Sequence, residues 1–145
     1  MLLSRNQKSP LSNEKRAGTV LLVEDDVDNA EFLRLVITTE THYDVLLMRS
    51  GRETLEHLEE IKASNPVLFL LDYHLPPTNA LDLYNQMHAT TALMHVPTLI
   101  ATAGRLSDEL IQTLAQQCIQ VIEKPFEIDA LLDCIKQAID CTLRD

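Results

Sequence analysis

Tryptophan is absent from this chain, and glycine, cysteine, tyrosine and phenylalanine occur three times each. With aromatics at 4%, the core has to be built mainly from Leu, Ile and Val. The scattered Gly18, Gly51 and Gly104 supply no Gly-rich phosphate loop, which argues against a nucleotide- or flavin-binding α/β protein. The cysteines, Cys118, Cys134 and Cys141, are odd in number and lack Cys-x-x-Cys spacing, so reduced, mostly buried thiols are expected. Cations are scarce as well. Twelve Lys and Arg stand against 22 Asp and Glu, and the net charge of −10 argues against a direct nucleic-acid surface, which would need Lys and Arg for the phosphates. No apolar run approaches the roughly 18 residues that span a bilayer. Met1-Leu2-Leu3 is too short for a signal-peptide apolar region and is soon interrupted by Arg5 and Lys8. The expected location is the cytoplasm, without membrane attachment.

What remains is the composition of one soluble domain of 145 residues. Residues 1–18 are polar, aperiodic and net basic, and read as a flexible leader before a domain over 19–143. From Thr19 the pattern changes. "TVLLV" is a continuous apolar run, the mark of a strand covered on both faces. Phe32, Leu33, Val36 and Ile37 then recur at helical spacing, and "YDVLLM" is a second strand. "SGRETLEHLEEI" opens a helix with a Ser50–Glu53 capping box. Val67–Leu71 is the third strand, Ala80–His88 a helix, and "PTLIATA" the fourth strand. Ser107 caps the next helix, with Asp108 and Glu109 in its first turn. "IQVIEK" is the fifth strand, and Ile128–Leu143 closes the chain with an apolar stripe. Strands alternating with helices imply right-handed βαβ units and a five-stranded parallel sheet with helices on both faces.

In such sheets ligands gather beyond the carboxyl ends of the strands. The first strand ends in Glu24, Asp25 and Asp26, the third in Asp72, the fourth near Thr102, and the fifth in Glu123-Lys124-Pro125. Acids brought to one edge repel each other and call for a counterion; Mg²⁺, a hard ion with a preference for oxygen, suits them. Lys124 is a point charge for the same place, and the Thr102 hydroxyl a hydrogen-bond donor. Taken singly, each has an ordinary reading: a solvated helix start, a turn residue, a loop hydroxyl, a surface lysine. The case for a site is their occurrence in order, at the same end of successive strands.

"VLLVEDD", "FLLDYHLPP", "IATAG" and "VIEKPF" resemble the signatures of response-regulator receiver domains of two-component signalling, over about residues 19–143. The resemblance implies a flavodoxin-like doubly wound sheet of order 2-1-3-4-5, the order of which a chemotaxis receiver is itself an example. It implies that Asp72 is the phosphoacceptor and that Glu24, Asp25, Asp72 and the backbone carbonyl of His74 hold Mg²⁺. Asp26 then caps the first helix or supports the site from behind, and Thr102 and Lys124 contact the phosphoryl group. The Lys124-Pro125 bond is commonly cis in this family. The implied donor is a phosphohistidine of a sensor histidine kinase or a histidine phosphotransfer protein. The implied output is a downstream protein target, and a homodimer through the fourth helix, fifth strand and fifth helix is compatible with it. Such a domain is a signalling switch rather than an enzyme, catalysing at most its own phosphorylation and dephosphorylation.

Three positions depart from the family pattern. Val121 replaces the aromatic that often moves with the threonine. Ala80 stands where a glycine is usual, and would be strained if the loop needed positive φ. Leu75 replaces a methionine, a nearly volume-conserving change. The alternative function is a non-phosphorylated pseudo-receiver, acting as an interaction or dimerisation module. The His74 side chain lies where it could affect phosphate lifetime, and His42, His57, His88 and His95 are expected at the surface. With no effector after residue 145, the chain is either a stand-alone receiver or part of a longer protein.

Overall fold

The structure, a computed structural model, describes residues 16–76 and 78–143, with side chains through Cys141. The expected leader falls outside the described residues except at Arg16–Gly18, and these three are docked. The Arg16 guanidinium donates to the carbonyl of Thr41 at 3.1 Å and pairs with Asp44 at 3.7 Å, while Ala17 N–H donates to the His42 carbonyl.

In chain order the elements are β1 (Thr19–Val23), α1 (Val27–Glu40), β2 (Asp44–Met48), α2 (Gly51–Glu56), α3 (Leu58–Ala63) and β3 (Pro66–Asp72). There follow β4 (His74–Leu75), β5 (Thr78–Asn79), α4 (Ala80–His88), β6 (Thr98–Thr102), α5 (Asp108–Ala115), β7 (Ile119–Glu123) and α6 (Ile128–Leu143). The main sheet is parallel, in the order β2-β1-β3-β6-β7. With the small antiparallel β4–β5 hairpin set aside, that is the expected 2-1-3-4-5 flavodoxin-like order.

The continuous apolar runs follow from burial of both faces, because successive strand residues point to opposite sides. Leu21, Val23, Phe69, Leu71, Ile100 and Ile119 face α2–α5. Val20, Leu22, Leu68, Leu70, Leu99 and Ile122 face α1 and α6, packing against Leu33, Ile37, Leu131 and Ile135. Fully burying each such side chain stabilises the fold by about 1.5–3 kcal/mol.

Three local features differ from the sequence reading. The helix after Ser50 is broken at His57, whose backbone (φ −120°, ψ 30°) is not helical and whose Nδ1 sits 2.8 Å from the Glu53 carbonyl oxygen. His88 is half-buried rather than a surface residue; its two ring nitrogens lie 2.9 Å from the carbonyl oxygens of Tyr84 and Val96. The expectation of three reduced thiols is also overturned: Cys118 and Cys141 are joined in a disulfide, with Cα atoms 6.1 Å apart, and Cys134 is free. Their 23-residue separation gave no local signal; the pairing arises only because α6 returns across the sheet to the edge where β7 begins.

Ala80 avoids strain altogether. It is buried at the first position of α4 and is not among the positive-φ residues, which among the described residues are, besides Gly18, Asn65 and Cys118. The hairpin before it delivers Asn79 as the N-cap, its side chain accepting from Leu81 N–H (2.9 Å) and Asp82 N–H (3.0 Å). Gly18 is a position that does need glycine. Its φ is +139°, and a Cβ there would lie 2.5 Å from Val67 Cγ1.

Candidate phosphoacceptor site at the carboxyl edge of the sheet

Register decides which side chains meet. Val23 pairs with Leu71, so Glu24 and Asp72, each one residue further, are brought side by side. Asp72 pairs with Ala101, and Thr102 with Glu123, which sets Thr102 and Lys124 at the same edge. The Lys124 N–H donates to the Thr102 carbonyl at 2.8 Å, and the Lys124-Pro125 peptide is cis.

The side chains close the arrangement. Lys124 Nζ lies 3.3 Å from Asp72 Oδ1 and 3.6 Å from Glu24 Oε1. Glu24 is buried, with 2% of its side chain exposed, and its Oε2 accepts from the Asp26 N–H at 3.2 Å. Asp25 is exposed, and Asp72 is half-buried at 12% side-chain exposure. Asp26 is the N-cap of α1, accepting from Asn29 N–H at 2.9 Å, so of its two expected roles the capping one is visible.

One carboxylate oxygen each from Glu24, Asp25 and Asp72 lie within 4.8 Å of one another. Burial, followed by the Asp72 charge, pushes the Glu24 carboxyl above its usual range; Lys124 and the Asp26 N–H oppose the shift. Lys124 pairs with two of the three acids, Glu24 and Asp72, and a divalent cation with oxygen preference would offset the remaining negative charge. The donor set therefore fits Mg²⁺.

Asp72, His74, Thr102, Ala103, Arg105 and Lys124 line a cleft of about 340 Å³ beside the acids. The His74 residue is exposed and its backbone belongs to β4, paired with Asn79. Thr102 is buried at the edge, but its hydroxyl is engaged with its own loop, donating to the Gly104 carbonyl (3.0 Å) and accepting from Gly104 N–H (3.1 Å). The structure thus gathers Glu24, Asp25, Asp72 and Lys124 directly, and places Thr102 and His74 on the cleft wall.

Two cations were missed. Arg49 directly follows β2 and donates from Nη2 to the Asp25 carbonyl at 3.2 Å; the strand-end rule would have found it had the second strand been included. Arg105 sits on the cleft rim, ion-paired with Asp108 (3.2 Å) and Glu123 (3.6 Å). A lone loop arginine carries no such signal in sequence. Val121 is half-buried on the α2–α5 face, paired with Ile100. Among the described residues no helix is long and apolar enough to cross a membrane.

The family model described as the response regulator receiver domain matches residues 20–136. Response regulator ArlR of Staphylococcus epidermidis is 31% identical over 121 residues, covering 83% of this chain and 52% of that protein. DNA-binding response regulator MtrA of Mycobacterium tuberculosis is 30% identical over 108 residues, covering 74% and 44%. The chain spans about half the length of the curated relatives it matches. That the second is described as DNA-binding is partly at odds with the expectation of no nucleic-acid contact. Among solved structures, the signal receiver domain of a putative LuxO repressor protein from Vibrio parahaemolyticus superposes with a TM-score of 0.71 at 26% identity, over 87% of this chain and 92% of that one. A CheY-like receiver domain protein from Methanospirillum hungatei shares the fold, with a TM-score of 0.71 at 21% identity over 88% and 97%.

Proposed function

The chain belongs to the response regulator receiver domain family, and on that premise we propose that Asp72 accepts a phosphoryl group from a phosphohistidine of a sensor kinase or phosphotransfer protein. An Asp72 carboxylate oxygen attacks phosphorus, the P–N bond breaks, and its electron pair leaves with the imidazole. Transfer of this kind needs in-line placement and charge stabilisation more than covalent assistance. Glu24, Asp25, Asp72 and the His74 carbonyl would hold Mg²⁺, which supplies positive charge against the phosphoryl oxygens. Lys124, already 3.3 Å from Asp72, is placed to pair with one oxygen of the new group. For Thr102 to donate to another, its hydroxyl must release the Gly104 carbonyl, and the loop after β6 has to rearrange. The added charge of about −1.5 to −2 at an already acidic edge is the driving term.

The observation that carries this reading is the convergence of Glu24, Asp72 and Lys124 within ion-pair distance at the carboxyl ends of β1, β3 and β7. Output would pass through the face built from α5, β7 and α6 to a protein partner or a second copy. With Val121 in place of an aromatic, the threonine movement is not coupled to a rotating aromatic ring at this position. The acidic domain itself makes no direct nucleic-acid contact in this reading, and it works in the cytoplasm.

Acetyl phosphate with Mg²⁺ should add one phosphoryl mass to the intact chain, and Asp72→Asn should abolish the addition. Unchanged wild-type mass under conditions that label another receiver overturns the proposal and leaves the non-phosphorylated interaction module.

A further inference from the structure

We propose that Cys118 and Cys141 form a reversible disulfide site that exchanges with small disulfides of the glutathione class through the cleft beside Cys118, and that its closure staples the last turn of α6 to the start of β7. The inference stands independently of the phosphoryl transfer proposed above.

Cys118 is held in place by its backbone. It lies in the turn between α5 and β7 with φ +59°, its N–H donating to the Ala115 carbonyl (3.0 Å) and its carbonyl accepting from Thr98 N–H (3.3 Å). The thiol bearer is thus anchored to both α5 and β6. Cys141 sits in the last turn of α6. The residues that bury α6 against the sheet, Leu131, Ile135 and Ala138, are all further back, and Ile139 is only half-buried. Beyond them the disulfide fastens the helix end to the body. A Cα separation of 6.1 Å lies within the range a disulfide spans without backbone movement.

Access is built in. A cleft of about 520 Å³ opens beside Cys118, lined also by Tyr84, His88, His95, Pro97 and Gln117, with room for a peptide-sized thiol. The third cysteine is a poor competitor: burial, with Asp133 adding to it, pushes the Cys134 thiol up and lowers its thiolate fraction. In the forward reaction one cysteine thiolate attacks a sulfur of RSSR, forming a mixed disulfide and expelling RS⁻. The second thiolate attacks the protein sulfur of that mixed disulfide and expels the other RS⁻; each departing thiolate takes up a proton from solvent. The two cysteines are oxidised, RSSR is reduced to two RSH, and excess RSH runs the sequence backwards.

The test uses the full chain, reduced and then incubated with oxidised glutathione, alkylated under denaturing conditions and weighed intact. The expected product carries one alkyl group, no glutathione and two fewer hydrogens, and reverts with reduced glutathione. Cys141→Ser should instead retain one glutathione, trapped on Cys118. Amide exchange across 139–143 should slow roughly tenfold or more in the oxidised wild type. Three alkylated thiols after oxidation, a bond involving Cys134, or a Cys141→Ser chain that takes no glutathione would each overturn the site. Equal exchange rates in the two redox forms would overturn the stapling.

Discussion

Replacing Lys124 with methionine keeps the unbranched stem and deletes the ammonium, so it isolates the charge. Lys124 faces Asp72 at 3.3 Å and the buried Glu24 at 3.6 Å. At an effective dielectric of about 20 each pair is worth about 4–5 kcal/mol before desolvation. Removing one partner of a buried ion pair commonly costs about 3–5 kcal/mol, because a charge is left uncompensated. Here the cost is capped, since Asp72 is partly solvated and Glu24, already pushed up, can take a proton. We expect Lys124→Met to lose about 2–3 kcal/mol at neutral pH without metal, or about 5–10 °C in Tm. Saturating Mg²⁺ should narrow the gap to about 1 kcal/mol, because the cation takes over the neutralisation. Urea unfolding of both proteins, with EDTA and with Mg²⁺, measures all four stabilities. A gap below about 0.5 kcal/mol in EDTA, or one indifferent to Mg²⁺, would refute the view that Lys124 and a divalent ion balance the same acids.

Three further outcomes are expected. Glu24 has its folded-state pKa raised above 4.5, so its contribution is fully present below that value and is lost as pH rises through the folded value; Glu24→Gln should therefore gain on wild type in EDTA as pH rises above 4.5, and a flat difference contradicts the shift. Asn79→Ala removes the acceptor for two N–H groups at the start of α4 and should cost about 1 kcal/mol by thermal melting, an unchanged Tm refuting the cap. Gly18→Ala forces a Cβ to within 2.5 Å of Val67 Cγ1 at φ +139°, and should cost about 1–3 kcal/mol in the urea midpoint; a neutral result would mean that the β1 entry shifts freely.

Elements with strong local signals were legible. The expected helices over 80–88 and 128–143 agree with α4 and α6, and the parallel sheet follows from the βαβ alternation, whereas its strand order was implied only by the family resemblance. The gathering of Glu24, Asp72 and Lys124 was legible because a parallel sheet sends every strand's carboxyl end to one edge. Tertiary details were not. The break at His57 depends on backbone angles that no residue there announces, and the Arg105 pairs depend on where two loops pass. The Cys118–Cys141 bond needs the return path of a whole helix. Thr102 was placed correctly along the chain, yet its hydroxyl bonds Gly104, a state that strand position cannot specify.

The pairing of Val23 with Leu71 and of Asp72 with Ala101 has a consequence for insertions and deletions. One residue added inside β1 or β3 would exchange the leucines of the two helix layers and, in the same stroke, carry Glu24 or Asp72 past its neighbour. Packing and chemistry therefore veto the same length changes inside these strands.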